Sequence, residues 1–310
     1  METSSPFTPR SPQALAIERL FNLNLAIGAL IFLLVTGLVI YCSYRFRARP
    51  GQGEPPQIAG NRRLEIAWTI TPALILVVIF GLTLIAMRTA DPPVGQQKPD
   101  LRVIGHQWWW EVQYPKSGVI TANEIHIPTG RPLLVQLEAA DVIHDFWVPQ
   151  LGPKRDMVPG KLNYIWMQAD KPGTYGGACA EYCGAQHAWM RILAIAQPQA
   201  EFDAWQRQQL QGAPPATGGD VAQGARLFQQ MTCVNCHAIG GTASQARVGP
   251  DLTHLASRRT IAAGLLQNTP EDLTRWMQNP QAIKPGTYMP NLQLSANDVR
   301  ALVAYMETLK

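Results

Sequence analysis

The stretch Cys179-Ala-Glu181-Tyr-Cys183-Gly-Ala-Gln-His187-Ala-Trp-Met190 gathers two thiols, an imidazole and a thioether on one short loop. Sulfur donors are soft and imidazole suits copper, so this set favours copper over the hard cations. A donor from elsewhere is still needed. His144, in Asp141-Val-Ile-His144-Asp-Phe-Trp-Val-Pro149, is the evident supplier. Two cysteines are one more than a mononuclear thiolate copper site uses. Two thiolates could bridge two copper ions, each taking one imidazole. The same residues also admit a blander reading, a Cys179–Cys183 disulfide beside a core histidine.

Outward from the loop the pattern is that of short strands. Leu101 to Tyr114, Asn123 to Pro128, Pro132 to Leu137 and Asn163 to Gln168 are rich in β-branched and aromatic residues. Pro/Gly turns such as Lys171-Pro-Gly-Thr-Tyr175 separate them, which argues for an all-β sandwich or barrel. His106 and His126 fall on strand-like stretches and read as structural histidines. Phe202-Asp-Ala-Trp205 closes this region in a short helix-like segment.

The loop, with His144-Asp-Phe-Trp upstream, resembles the binuclear CuA loop of cytochrome c oxidase subunit II, whose pattern is C-x-E-x-C-G-x-x-H-x-x-M after H-x-F-W. The resemblance implies a cupredoxin-like Greek key. It also implies Cys179 and Cys183 as bridging thiolates, His144 and His187 as terminal ligands, Met190 as a weak axial ligand and the Glu181 carbonyl as a further ligand. The Glu181 carboxylate would reach a magnesium ion at the boundary with the catalytic subunit. Gly105-His-Gln-Trp108-Trp109-Trp110 resembles the family's G-H-Q-W-Y-W segment, which makes Trp108 the candidate point where electrons enter, with the haem domain docked near it. Trp110 reads as packing. Leu151 to Gly160 carries Lys154, Asp156, Pro159 and Gly160 in family positions. The departures are Trp109 for tyrosine, Asp145 for serine, Ala180 for serine and Gln186 for asparagine. None removes a ligand.

The N-terminal part has another character. Leu23 to Tyr44 and Ile66 to Met87 contain no charged residue. At 1.5 Å per residue each spans about 33 Å, enough to cross a hydrocarbon core of about 30 Å. Pro72 lies in the first turns of the second run, where a missing backbone donor costs least. A cleaved signal peptide fits the first run poorly, because a short basic leader and a clear small-residue cleavage site are lacking. Arg45, Arg47, Arg49, Arg62 and Arg63 crowd the loop between the spans, so the positive-inside rule puts that loop in the cytoplasm and both termini outside. Cys42 reads as a small buried hydrophobe. Asn61-Arg-Arg-Leu-Glu65-Ile-Ala-Trp-Thr-Ile-Thr-Pro72 resembles the family's second-span opening, which makes Glu65 a candidate for the mouth of a proton path. A glutamate stabilised by a helix N-terminus is the equal alternative.

The C-terminal part opens after the Gly/Pro-rich Gln211 to Gly219. Cys233-Val-Asn-Cys236-His237 is the C-x-x-C-H attachment signature of a c-type haem, with His237 the proximal iron ligand. Gly249-Pro250-Asp-Leu resembles the segment whose proline carbonyl holds that histidine. Tyr288-Met289-Pro290 resembles the distal loop, with Met289 preferred over Met231, Met277 and Met306. Met/His ligation suits electron transfer. His254 reads as a pocket or surface residue. Thr269-Pro-Glu-Asp272 and Ser295-Ala-Asn-Asp298 are helix starts, and the last helix should pack against the first near Gly224 and Phe228.

The chain therefore divides into an N-terminal tail (1–19) ordered by partners, a transmembrane helix hairpin (20–90), a cupredoxin-like CuA domain (91–210), a linker (211–219) and an all-α c-type cytochrome domain (220–310). A net charge of +4 over 310 residues gives a nucleic-acid partner little support. The cysteines fall into two close pairs plus Cys42, which speaks against a disulfide framework. The resemblance implies subunit II of a proton-pumping cytochrome c oxidase of the kind with a fused cytochrome c, in a bacterial inner membrane with both cofactor domains on the periplasmic side. Its partners would be subunit I, subunit III, membrane lipid and cytochrome c or another periplasmic donor. With six histidines, two assigned to copper and one to iron, too few remain for an oxygen-reducing centre in this chain. A quinol oxidase subunit is excluded because the copper donors are present. A copper-delivery protein would have no need of haem. The subunit through which electrons enter a CuA-containing nitric oxide reductase remains the alternative.

Overall fold

The computed structural model describes residues 5–51, 53–54, 56–58, 60–92 and 98–310. The first four residues of the expected tail, and Pro93 at the expected opening of the β domain, lie outside them. Two compact units emerge. Leu15–Thr89 is one, and Met1–Ala14 with Ala90–Lys310 is the other.

The smaller unit consists of two long helices, α1 (Pro12–Arg45) and α2 (Arg62–Ala90). Both are long and apolar enough to cross a membrane, and their apolar windows are unburied within the chain. A helix hydrophobic on every side has no stripe for a protein core and suits a lipid environment. Cys42, expected as buried, lies exposed on α1 with its neighbours. The Asn61 side chain opens α2 by accepting from the backbone N–H groups of Arg63 (3.1 Å) and Leu64 (3.3 Å). Glu65 sits in the first turn, where a carboxylate complements the helix dipole.

Helix α1 begins inside the stretch expected as a tail. Ser11 is the reason. Its hydroxyl accepts from the Ala14 N–H (3.0 Å) and donates to the Leu151 carbonyl (2.8 Å). Arg10 exchanges backbone hydrogen bonds with Gln150 and Asp170. This segment is ordered by the chain's own β domain rather than by a partner.

The larger unit begins with a β-sandwich. One sheet has the order β3-β2-β1-β5-β8 and the other β4-β10-β9-β6-β7. The strands are β1 (Leu101–His106), β2 (Trp109–Tyr114), β3 (Val119–Ala122), β4 (Glu124–Pro128), β5 (Leu133–Ala139), β6 (His144–Trp147), β7 (Arg155–Met157), β8 (Asn163–Met167), β9 (Gly173–Cys179) and β10 (Arg191–Gln197). β1 runs parallel to β5 and β4 parallel to β10, while the remaining pairs are antiparallel. Alternating burial along β1 sends Leu101 and Val103 inward. They meet Trp110, Val112, Ile125, Leu137, Phe146 and Met157 in a single core. The aromatic run 101–114 is two strands, because the chain reverses at Gln107–Trp108 and pairs Gly105 with Trp110.

Helix α3 (Gln199–Gln209) lays Phe202 and Trp205 on the sandwich beside Tyr114. The Gly/Pro stretch that follows is pinned by Ala213 N–H to the Gly240 carbonyl (2.9 Å). The helical part contains α4 (Gly219–Gln230), α5 (Pro270–Gln278), α6 (Pro280–Ile283) and α7 (Ala296–Met306). Thr269 and Ser295 cap α5 and α7 through the backbone N–H groups of Asp272 and Asp298, both at 3.2 Å. α4 crosses α7 at Gly224, where a methyl group would stand 2.0 Å from the Ala301 carbonyl oxygen. Phe228 meets Tyr305 edge-on nearby.

Candidate metal and haem centres

β9 ends at Cys179, and the chain turns back through a 3-10 turn (His187–Trp189) into β10. That turn brings the loop's donors over His144 at the start of β6. Cys179 Sγ lies 3.8 Å from Cys183 Sγ and 3.9 Å from His144 Nδ1. Cys183 Sγ lies 3.6 Å from His187 Nδ1 and 3.8 Å from Met190 Sδ. The Glu181 carbonyl oxygen stands 3.1 Å from Cys179 Sγ, while its carboxylate is on the exposed side. Both cysteines are free and buried, so the disulfide reading falls. The spacing leaves room for metal among the sulfur and nitrogen atoms and for little else, and soft donors of this kind select copper.

The surroundings hold these donors still. His144 Nε2 faces Asp141 Oδ1 at 2.8 Å, and the other Asp141 oxygen accepts from the Gln107 N–H at 2.7 Å. A carboxylate behind a ligand histidine fixes its ring and tautomer. Burial pulls the His144 pKa down, but the bonds to Asp141 and Cys179 prevail and raise it. Hydrogen bonding between the two cysteines, opposed by burial, lowers Cys179 to about 3. The partner thiol is pushed up by the same bond. Gly105 packs beneath His144, where a methyl group would lie 2.8 Å from Cδ2. Trp110 is fully buried, edge-on to Phe146.

Trp108 is covered too, at 7% exposure. Its indole N–H donates to the Cys183 carbonyl (2.9 Å), as does the Gln107 amide (2.8 Å). On its other side lies Tyr288, with ring centroids 5.0 Å apart. The indole is therefore enclosed between the sulfur loop and the C-terminal part, which lies against it as expected.

A cavity of about 370 Å³ opens between the helical part and the sandwich at Gln107, Trp108 and Trp109, and is lined by Cys233, Cys236, His237, Met289 and mostly apolar side chains. His237 Nδ1 is 2.7 Å from the Pro250 carbonyl oxygen, which leaves Nε2 for iron. Gly249 lies so near that a methyl group would be 2.6 Å from His237 Cε1. The pair of thiols, the oriented imidazole and the apolar walls fit a haem. Met277 and Met306 also line the cavity, but from helices within the core. Met289 sits in the loop beside Tyr288 and Pro290.

The other histidines are occupied. His106 stacks on Trp109 (4.3 Å) and pairs with Glu111 (3.4 Å). His126 stacks on Trp205 (4.1 Å) and bonds Gln197 (2.7 Å). His254 is neither a surface nor a pocket residue. It is buried, with its nitrogens at the Lys310 (2.8 Å) and Gln209 (3.1 Å) carbonyls.

Sequence reading missed Asp141, Gln107 and Tyr288. Asp141 had a signal, a carboxylate three residues before a candidate ligand histidine. Gln107 and Tyr288 had none, because their roles exist only once separate segments meet.

Comparison with known proteins agrees with this geometry. Family models match in order along the chain: "Cytochrome C oxidase subunit II, transmembrane domain" over residues 8–84, "Cytochrome C oxidase subunit II, periplasmic domain" over 117–197 and "Cytochrome c" over 221–310. Cytochrome c oxidase subunit 2 of Alkalihalophilus pseudofirmus is 38% identical over 316 aligned residues, covering 100% of this chain and 92% of that protein. The chain belongs to the cytochrome c oxidase subunit II family. The Bacillus subtilis subunit 2 is 32% identical, with 88% of this chain and 82% of that protein covered. The periplasmic domain of oxidase subunit II from Bradyrhizobium japonicum, a crystal structure, is 32% identical over 38% of this chain and 96% of that one, with a TM-score of 0.36. Membership places the chain among subunits of an oxidoreductase complex. The subunit II domain implies CuA copper and the cytochrome c domain implies haem, and both donor sets described above fit them.

Proposed function

We propose that this chain is the electron-transfer subunit of a proton-pumping cytochrome c oxidase. It accepts electrons from cytochrome c or a comparable periplasmic donor at its haem and passes them through CuA toward the oxygen-reducing centre of subunit I. The observation that carries this reading is that one compact unit holds both donor sets, with Trp108 touching each side. Once bound, the copper pair and the haem supply reversible one-electron chemistry.

Cys179 and Cys183 would bridge the coppers, with His144 and His187 terminal, Met190 axial and the Glu181 carbonyl completing the set. Asp141 holds the His144 ring, and Gln107 and Trp108 hold the loop backbone at Cys183. Cys233 and Cys236 would form the thioether links, with His237 and Met289 axial and the Pro250 carbonyl orienting the imidazole. The exposed Glu181 carboxylate is available to magnesium at the boundary with subunit I. Glu65, at the start of α2, is the candidate for a proton path. The arginines between α1 and α2 support an orientation with both termini and both cofactor domains on the periplasmic side. Subunit III and lipid complete the surroundings. The reading keeps the division into 20–90, 91–210, 211–219 and 220–310, with helix α1 extending into the tail.

Metal analysis and spectroscopy of the purified full-length chain test the proposal. The expected result is a copper pair and a single iron per chain, a c-type haem spectrum and the multi-line spin resonance of one electron shared over two coppers. A lone copper with a localised signal would instead favour a copper-handling role.

A further inference from the structure

The β-sandwich and the helical part meet across a face that includes two buried charges, one from each side. Lys284, 3% exposed and just after α6, sends its ammonium into the sandwich side. It donates to the carbonyls of Trp108 (3.1 Å), Trp189 (3.2 Å) and Ala262 (3.3 Å). An ammonium has three donors and no acceptor, and all three are used. Burial lowers its pKa to about 8, so at neutral pH the ion persists. The reciprocal contact comes from Glu124, 2% exposed on β4. Its Oε1 accepts from the backbone N–H groups of Arg259 (2.7 Å) and Thr260 (3.1 Å). Lys284 thus caps two carbonyls of the sandwich and one of its own part, Glu124 satisfies two N–H groups of the helical part beside the Arg258 and Arg259 charges, and neither is paired directly with the other.

We infer that Lys284 and Glu124 are positioning residues that lock the haem-bearing part onto the copper-loop face in one pose. A buried ion is tolerated only where fixed dipoles replace its water, and these dipoles are available only in this arrangement. Sliding the parts past each other would strand a lysine, a buried glutamate, the carbonyls of Trp108 and Trp189 and two N–H groups. The Trp108 indole holds the Cys183 carbonyl, and Trp189 is next to Met190. The lock is therefore built on the same backbone that carries the copper donors. Tyr288, four residues after Lys284, is held with it, its hydroxyl donating to the Gln107 side chain at 2.7 Å. The purpose of the lock rests on the proposed function. One electron leaves the iron and one arrives at the copper pair, with no bond made or broken, so the rate depends on keeping the two centres at a fixed separation.

The test uses the full-length, metal-loaded chain in its complex, with Lys284→Met, Glu124→Leu and the conservative Glu124→Gln, which retains an acceptor oxygen. Two quantities are read, the amide hydrogen exchange at Arg259 and Thr260 and the rate of light-triggered electron transfer from haem to copper. Lys284→Met and Glu124→Leu should speed the exchange about tenfold or more. They should also slow the internal transfer at least severalfold, while external reduction of the haem and the spectra of both centres stay unchanged. Glu124→Gln should restore most of both. If exchange and internal transfer in Lys284→Met and Glu124→Leu match the wild type, the lock is overturned. If both variants lose the haem or copper signals, the residues are folding determinants and the proposal equally fails. If the wild type shows no copper pair, the proposed function falls, while the exchange data still decide the lock.

Discussion

In the β-sandwich every candidate copper donor except His144 lies from Cys179 to Met190, and the donor atoms crowd within 4 Å of a neighbour. In the helical part Cys233, Cys236 and His237 lie far along the chain from Met289, and all four face a cavity of about 370 Å³. The two regions nevertheless treat their histidines alike. His144 rests on Gly105 and His237 on Gly249, each so tightly that a methyl group would intrude. Each ring nitrogen away from the metal site meets an oxygen, the Asp141 carboxylate in one case and the neutral Pro250 carbonyl in the other. The copper side is thus shaped by its sheet, and its donors are preset by one turn. The haem side is shaped around a guest large enough to be part of the core.

That contrast predicts unequal consequences of losing each cofactor. Replacing both Cys233 and Cys236 by alanine removes the proposed anchors and exposes the apolar walls of the cavity. Losing a packing partner of that size should cost a large share of the stability of a small domain, about 5–15 kcal/mol. The helical part of this variant should lose its cooperative thermal transition in calorimetry, while the sandwich keeps its own. A helical part that still melts sharply without haem would erase the distinction.

Cys183→Ser makes the reverse cut. It removes the thiol that meets Cys179, His187 and Met190. The shared-electron copper signal should vanish while the haem spectrum and the sandwich's melting stay close to wild type. Unfolding of the sandwich would show that copper, and not the sheet, sets the loop.

Gly249→Ala tests the shared packing device. The added methyl must push the His237 ring away from the Pro250 carbonyl, at a cost of about 3 kcal/mol, the upper end for overpacking. The haem absorption should shift or lose intensity, with copper unaffected. An unchanged haem spectrum would mean that the ring has slack the geometry does not suggest.

How much of this could be read in the sequence follows from the same contrast. The two clusters of candidate donors and the two apolar helices were legible because each is a local pattern: a spacing on one loop, a five-residue motif, an uninterrupted hydrophobic run. The capped helices α5 and α7 and the α4–α7 crossing at Gly224 were legible for similar reasons. Lys284 was not. A lysine between Ile283 and Pro285 reads as solvated, and the carbonyl of Trp108 that it caps lies 176 residues away. Glu124 was hidden likewise, since an acid at the start of a strand carries no sign of the N–H groups it will meet. The meeting of the C-terminal part with Trp108 was expected from the resemblance, but the partner ring, Tyr288, was not. Such features arise where two folded parts meet, and periodicity within either part leaves them unwritten.

The smallest expected effect concerns acid and distinguishes the sandwich itself from the copper it holds. His126, on β4 and remote from the donors, is lowered to about 4 chiefly by burial, against a hydrogen bond with Gln197 that works the other way. The unfolded chain keeps a histidine near 6.5. Between these values the unfolded state binds more protons, so stability is complete above about pH 6.5 and falls as the pH drops toward 4. At pH 5 the loss relative to pH 8 is about 2 kcal/mol from this group alone. His126→Leu keeps an apolar contact for the Trp205 ring and removes the titration, so its melting temperature should fall less between pH 8 and pH 5 than that of the wild type. The measurement is thermal denaturation of the sandwich followed by near-ultraviolet dichroism, with the copper signal recorded in parallel. Equal losses in both proteins would move the acid sensitivity away from His126 and toward the copper loop, and the sheet could then no longer be treated as a scaffold indifferent to its metal.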